Sequence, residues 1–195
     1  MTAGPPKAPV VVLLAGGRSR RMQGLDKALA EIAGQRMIDR VLARLDAQAE
    51  TIWLSAPHDY DTGLHHVTDG AMGPPGPVGA VRALAAELSA RGGDAFITCP
   101  VDAPFVPADL VARLAAHGPV AMAEAKGAVQ PVFALWSARA VLAALPPERC
   151  SERWSLQRLG TMLGARSVAF DDALALMNVN TPEDLTEARQ HAARA

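Results

Sequence analysis

Two cysteines, Cys99 and Cys150, are all that this chain of 195 residues carries. They are too few and too isolated for a disulfide framework or a four-thiolate zinc site, and a reducing cytosol fits that usage. Long hydrophobic runs are missing as well: no stretch approaches the roughly 18 apolar residues that a membrane span requires. The apolar run from Pro9 to Ala15 is short, lacks a small-residue exit and leads straight into Arg18, Arg20 and Arg21, which argues against a secretory signal. Nor is there an excess of charge. The formal net charge is -1, so no domain-wide basic surface exists to neutralise a nucleic acid, and any anion must be bound locally.

Several catalytic signatures are absent too. There is no G-x-x-x-x-G-K-[ST] phosphate loop, no G-x-G-x-x-G dinucleotide fingerprint, no H-E-x-x-H pair and no G-x-S-x-G elbow. His58, His65 and His66 lie near Asp59 and Asp61 without metal-ligand spacing and read as solvated loop histidines. Cys99 sits in an apolar strand and reads as core. The pair Asp171 and Asp172 reads as a solvated turn.

What is present is an ordinary globular composition, half apolar and one fifth charged, with a length suited to one domain. Residues 1 to 8, small and proline-rich, are expected to be frayed, and 9 to 195 to form a single domain. From Pro9, "PVVVLLAGG" predicts a strand buried on both faces and then a loop that needs permissive backbone angles. A helical spacing follows at Met37, Val41, Leu42 and Leu45, and then strands at 51 to 56 and in "LHHVTD". The Gly- and Pro-rich stretch 69 to 80 predicts a loop, with a helix after it carrying Val81, Leu84, Ala85 and Leu88.

Beyond this loop, a strand ends at Pro100 and a helix is expected near 107 to 117. Strand-like runs "PVAMA" and "VQPVFALW", helices near 137 to 145 and 154 to 164, and a strand at "RSVAF" come next. A last helix follows Thr181, which can cap it, with Pro182 in its first position and Glu183 and Asp184 at its positive end. Repeated strand and helix alternation predicts an α/β fold, a mostly parallel twisted sheet with helices on both faces. Such sheets bind ligands at the carboxyl ends of their strands.

Two constellations fall at those ends. In "LAGGRSRRMQGLDK", residues 14 to 27, the glycines let backbone amides approach an anion, and Arg18, Arg20, Arg21 and Lys27 can meet the phosphates of a nucleoside triphosphate. A glycine turn followed by a solvated basic loop is the bland alternative. Lys27, in a polar loop without apolar periodicity, is expected to act on phosphates and not on the fold. In "TCPVDAPFVP", Asp102 stands just past a strand, framed by Pro100, Pro104 and Pro107, where one carboxylate suits Mg2+. Alone, it could equally cap a turn. Asp69 follows another strand but precedes Gly70, and a turn role is open for it as well.

Taken together, "LAGGRSRRMQGLDK", "GPPGPVGA", "CPVDAPFVP" and "NVNTPEDL" resemble, in that order, the motifs of the MobA-like nucleotidyltransferases, the molybdenum cofactor guanylyltransferases. The resemblance runs from about Pro9 to Arg189. It implies a Rossmann-like sheet of the nucleotide-diphospho-sugar transferase type and a cytoplasmic enzyme. That enzyme would pass GMP from GTP to the molybdenum-pterin cofactor with Mg2+.

It also implies that Leu14, Ala15, Gly16 and Gly17 line the nucleotide, with Arg21 and Lys27 on its phosphates. Ser55 and Asp69 fall at base- and ribose-side positions, Asp102 at the metal position, and Asn178 and Asn180 toward the pterin. Partners implied are GTP, the molybdenum-pterin cofactor and, as candidates, pterin-delivery or molybdoenzyme maturation proteins, with no nucleic acid or membrane.

The chain departs from the family pattern at Gln23, where a glycine is usual, although Gly24 follows; at Ser55, where asparagine is usual; and at "GPVGA", which stands for G-P-L-A-G. The competing readings are a cytidylyltransferase on the same pterin, a sugar-phosphate nucleotidyltransferase, and a non-catalytic nucleotide sensor. Retention of Arg21, Lys27 and Asp102 together weighs against the sensor.

Overall fold

Strand β1, Val10–Leu14, is a run of β-branched and leucine side chains, and its register explains why both of its faces are apolar. In the computed structural model, which describes residues 8–16, 26–68, 73–172 and 174–194, Val11 and Leu13 point into one core and Val12 into another. Residues 1–7, Gly17, Arg18, Arg20, Arg21, Gln23, Gly24, Asp69 and Gly70 lie outside the described residues.

A 3-10 turn at Lys27–Leu29 leads into two short strands, β2 (Glu31–Ile32) and β3 (Gln35–Arg36), which pair antiparallel. Helix α1, Met37–Asp46, buries Met37, Ile38, Val41 and Leu45. Strands β4 (Ile52–Ser55) and β5 (His65–Val67) follow, then α2 (Pro77–Ala90) and β6 (Ala95–Pro100). Next come α3 (Leu110–Ala115), the hairpin β7 (Ala121–Ala125) and β8 (Ala128–Ser137), and the short helices α4 (Ala138–Ala144) and α5 (Leu156–Met162). Strand β9 (Arg166–Ala169) and helix α6 (Pro182–Ala192) complete the described elements.

Seven strands form one sheet in the order β5-β4-β1-β6-β8-β7-β9. All neighbours pair parallel except those of β8, which runs against β6 and β7. The expected mostly parallel sheet is therefore what forms. Helices cover both faces: α1 and α3 pack on the side of Val11, Leu13, Ile97 and Cys99, while α2, α4 and α5 pack on the side of Val12, Phe96 and Trp136. Burying a side chain such as Leu13 completely is worth about 1.5–3 kcal/mol. A third, smaller cluster joins α6 to the β2-β3 hairpin through Ile32, Met37, Phe105, Val179 and Leu185.

Two helices differ from the sequence expectation in their boundaries. Helix α2 begins at Pro77, inside the stretch read as loop to residue 80, because Gly76 adopts φ 80° as its cap and Pro77 takes the first turn, where no amide is needed. A Cβ on Gly79 would meet the Pro74 carbonyl oxygen at 2.1 Å, so glycine there lets the first turn of α2 pack against the loop that leads into it. Helix α3 covers only Leu110–Ala115, shorter than the expected 107 to 117, since Pro107 donates no amide and Gly118 turns away at φ 103°.

Candidate functional site

The sheet's order reverses at β1: the chain passes from β1 outward through β4 to β5, then returns to place β6 on the other side. Such a reversal leaves a crevice beyond the carboxyl ends of the strands that flank it. There the register aligns Leu14 of β1 with Ser55 of β4 on one side and Pro100 of β6 on the other. Backbone bonds extend the row past the strands, with the Ala15 amide donating to Ser55 O (2.8 Å) and the Val101 amide to Leu14 O (2.9 Å). The strand ends are thus held at one level, under a cavity of about 410 Å³.

Leu14, Ala15, Gly16, Lys27, Ser55, Asp102, Asn178 and Asn180 all line this cavity. They come from five separate segments, and they are the predicted site residues that lie within the described part of the chain. Gly17, Arg21 and Asp69 lie outside it. Gly76, Pro77 and Ala80 at the start of α2, together with Asp26 and Val132, line the cavity too; all but Val132 fall within the motifs that carry the resemblance, yet none had a place in the expected site. Proline one residue after a glycine was the available signal for the α2 contribution.

At the centre is Lys27. Its Nζ donates to Asp102 Oδ2 at 2.7 Å and to Asn180 Oδ1 at 2.6 Å, and the Lys27 and Asp102 side chains are each only 17% exposed. This corrects the expectation that Lys27 takes no part in the fold: its ammonium joins three segments whose polar groups would otherwise be left without it. The Asp102 carboxylate is paired directly with Lys27 at the cavity wall, and among the described residues it accepts no backbone amide as a turn cap would. The Asp102 carbonyl meanwhile accepts from the Val179 amide at 2.7 Å, fastening the Asn178–Asn180 segment to the end of β6.

The segment is fastened from its other side by the cap of α6. Thr181 Oγ1 accepts from the Asp184 amide, and Asp184 Oδ2 accepts from the amides of Asn180 (2.8 Å) and Thr181 (2.9 Å), a complete capping box. The Asn180 amide, first among these contacts, holds the Asp184 carboxyl below the usual aspartate range, against the opposing effect of burial. Asn178 Oδ1 is buried and finds no hydrogen-bond partner among the described residues.

Lys27 itself is presented by the 3-10 turn it opens. Asp26 caps that turn, its Oδ1 accepting from the Ala28 amide at 3.0 Å, while its Oδ2 accepts from the hydroxyl of the buried Tyr60 at 2.8 Å. His66 Nε2 meets Ala56 O at 2.8 Å and His65 stacks edgewise on Trp53, away from this centre, whereas His58 lies 4.0 Å from Asp26 with its ring 4.1 Å from that of Tyr60. Cys99 is fully buried, and burial, with the Asp102 charge as a lesser cause, pushes its thiol pKa well above the ordinary range.

Comparison with known proteins places these features in a family. Residues 11–162 match the model described as the MobA-like NTP transferase domain. The chain is 38% identical over 183 residues to the molybdenum cofactor guanylyltransferase of Cereibacter sphaeroides, covering 91% of this chain and 93% of that protein. It is 37% identical over 205 residues to the protein of the same name from Rhodopseudomonas palustris, covering 97% and 96%. In fold it is similar to a nucleotidyl transferase from Methanothermobacter, with a TM-score of 0.72 at 21% identity, covering 96% of this chain and 99% of the other. The family model spans most of the chain, and the chain belongs to the MobA-like NTP transferase family.

Proposed function

We propose that this chain transfers GMP from GTP to the terminal phosphate of a molybdenum-bearing pterin, in the cytoplasm and with Mg2+. The observation that carries the reading is the convergence of Leu14, Ala15, Gly16, Lys27, Ser55, Asp102, Asn178 and Asn180 on one cavity at the switch point of the sheet. The names of the relatives at 37–38% identity support the choice of nucleotide and acceptor. The limits of the described chain leave Gly17, Arg21 and Asp69 as parts of the proposal on motif grounds: Gly17 beside the nucleotide, Arg21 on the phosphates, Asp69 toward the ribose.

The chemistry asks little of a proton carrier. An oxygen of the acceptor phosphate attacks the α-phosphorus of GTP, the bond from that phosphorus to the β-phosphate bridge breaks, and pyrophosphate leaves. The nucleophile is already an anion, so the protein's work is alignment and charge neutralisation. The Ala15 and Gly16 backbone and the buried Ser55 shape the nucleotide side, Lys27 supplies positive charge to the departing phosphates, and Asn178 and Asn180 face the acceptor.

The donor set also fits Mg2+. A single carboxylate on a cavity wall, beside space for phosphates, is how that ion is commonly held, and Asp102 provides it. When bound, Mg2+ would neutralise phosphate charge at the reacting centre.

The test is pyrophosphate release with each of the four ribonucleoside triphosphates, with and without the molybdenum-pterin acceptor, across a Mg2+ titration. GTP is expected to support turnover and to raise the melting temperature more than CTP, ATP or UTP at equal concentration. Equal stabilisation and turnover with CTP would remove the guanylyl assignment while sparing the family.

A further inference from the structure

Tyr60 is a buried residue, 5% exposed, whose phenol lies outside the cavity yet touches the side chain that presents Lys27. Its backbone sits at φ 56°, and Asp61 beside it at φ 58°. The two residues form the centre of a tight turn, closed by the Thr62 amide donating to the Asp59 carbonyl at 3.2 Å, and a tyrosine is rare in that left-handed place. The surroundings are specific. The Tyr60 carbonyl accepts from Arg36 Nη1 at 3.2 Å, and Arg36 is in turn locked to Asp39 by two bonds of 2.6 and 2.8 Å.

From this fixed backbone the ring extends so that its hydroxyl donates to Asp26 Oδ2. That leaves Oδ1 of the same carboxylate to accept the Ala28 amide and hold the 3-10 turn at whose first position Lys27 stands. Burial first, and the Asp26 contact second, push the phenol pKa far upward, so the hydroxyl stays a donor wherever the enzyme works.

We propose that Tyr60 is a positioning residue for the reaction: acting through Asp26, it fixes the turn that aims the Lys27 ammonium at the reacting phosphates. It touches no substrate. The proposal rests on the nucleotidyl transfer described above for its kinetic consequence, though not for its structural one. A displaced ammonium matters most where charge develops, so the effect falls on the chemical step more than on nucleotide binding.

Tyr60→Phe keeps the ring and removes only the hydroxyl. It is expected to lower kcat about tenfold with KM for GTP within about twofold, a loss on the scale that small misplacements of a catalytic group produce. The same substitution added to Lys27→Met should have little further effect, because a residue acting only through Lys27 has nothing left to position. Independently of activity, the Lys27 ammonium resonance, identified by its loss in Lys27→Met, should be sharp in the wild type and broadened or lost in Tyr60→Phe.

Equal kinetic losses with and without Lys27, or an unchanged ammonium signal, would overturn the proposal. If the wild type turns over no GTP, the functional reading fails, and the ammonium signal alone decides the positioning role. Should Tyr60→Phe melt too low to use, Asp26→Ser tests the same bridge from its other end, since a serine still caps the turn but has no second oxygen for the phenol.

Discussion

Asp102 gathers three jobs into one residue. Its carbonyl holds Val179, its carboxylate pairs with Lys27, and it is the proposed seat of Mg2+. Asp102→Asn should therefore lower pyrophosphate release by at least about a hundredfold, the scale of losing one preorganised electrostatic contact at a phosphoryl centre. Sequence alone suggests that stability would hold or rise, on the argument that Asp69 stands near as a like charge. The Lys27 pair reverses that sign: the asparagine keeps an acceptor but leaves a mostly buried ammonium without its counter-charge, and the variant should lose roughly 1–2 kcal/mol. Paired turnover and denaturation measurements check both halves, and near-normal turnover would remove Asp102 from the mechanism. The residue's position was legible because prolines and a strand end frame it. Its partner was not, since nothing local connects Lys27 to a position 75 residues away.

Among the elements, α6 was the most legible, its Thr181 cap, first-turn proline and early acidic residues each being local signals that the structure reproduces. What they could not convey is that the same cap orients a cavity residue, for Asp184 holds the Asn180 amide as well as that of Thr181. A carboxyl whose folded pKa is depressed stabilises the protein fully above its unfolded pKa, and that contribution is lost as pH falls through the folded value. Asp184→Asn should thus cost about 1 kcal/mol at neutral pH and shrink in cost as the solution is acidified below the ordinary aspartate range. Denaturant titrations of both proteins at neutral and acid pH would show this, and a difference that ignores pH would refute it.

Two hairpin turns escaped notice for a shared reason, although the strands flanking the second, β7 and β8, were expected. The turns at Ala33-Gly34 and Lys126-Gly127 place both residues at positive φ, as two-residue hairpins favour, but the first position carries alanine or lysine where asparagine or aspartate would announce the turn.

At the scale of the whole molecule, alternating strand and helix patterns made the layered fold readable, and the four motifs identified the strand ends that matter. The strand order was not readable. Which side of β1 receives β4 and which receives β6 depends on packing between distant segments, and that choice brings Leu14, Ser55 and Pro100 into one row.

The row has a neighbour with a use of its own. Cys99, one residue before Pro100 on the central strand β6, is sealed from solvent, and its thiol resists ionisation, whereas Cys150 is only half-buried. Only a thiolate that solvent can reach reacts with an alkylating reagent, so Cys99 should react when the middle of the sheet opens and at no other time. Cys150 should be modified early and serve as the internal standard. Mass spectrometry of the Cys99 peptide over time then counts opening events directly, and a nucleotide that binds only the closed protein should slow them in proportion to its occupancy. Prompt alkylation of both cysteines would show that the centre of the sheet breathes freely. A slow, ligand-dependent Cys99 would give the protein a built-in clock for how long the middle of its sheet stays shut.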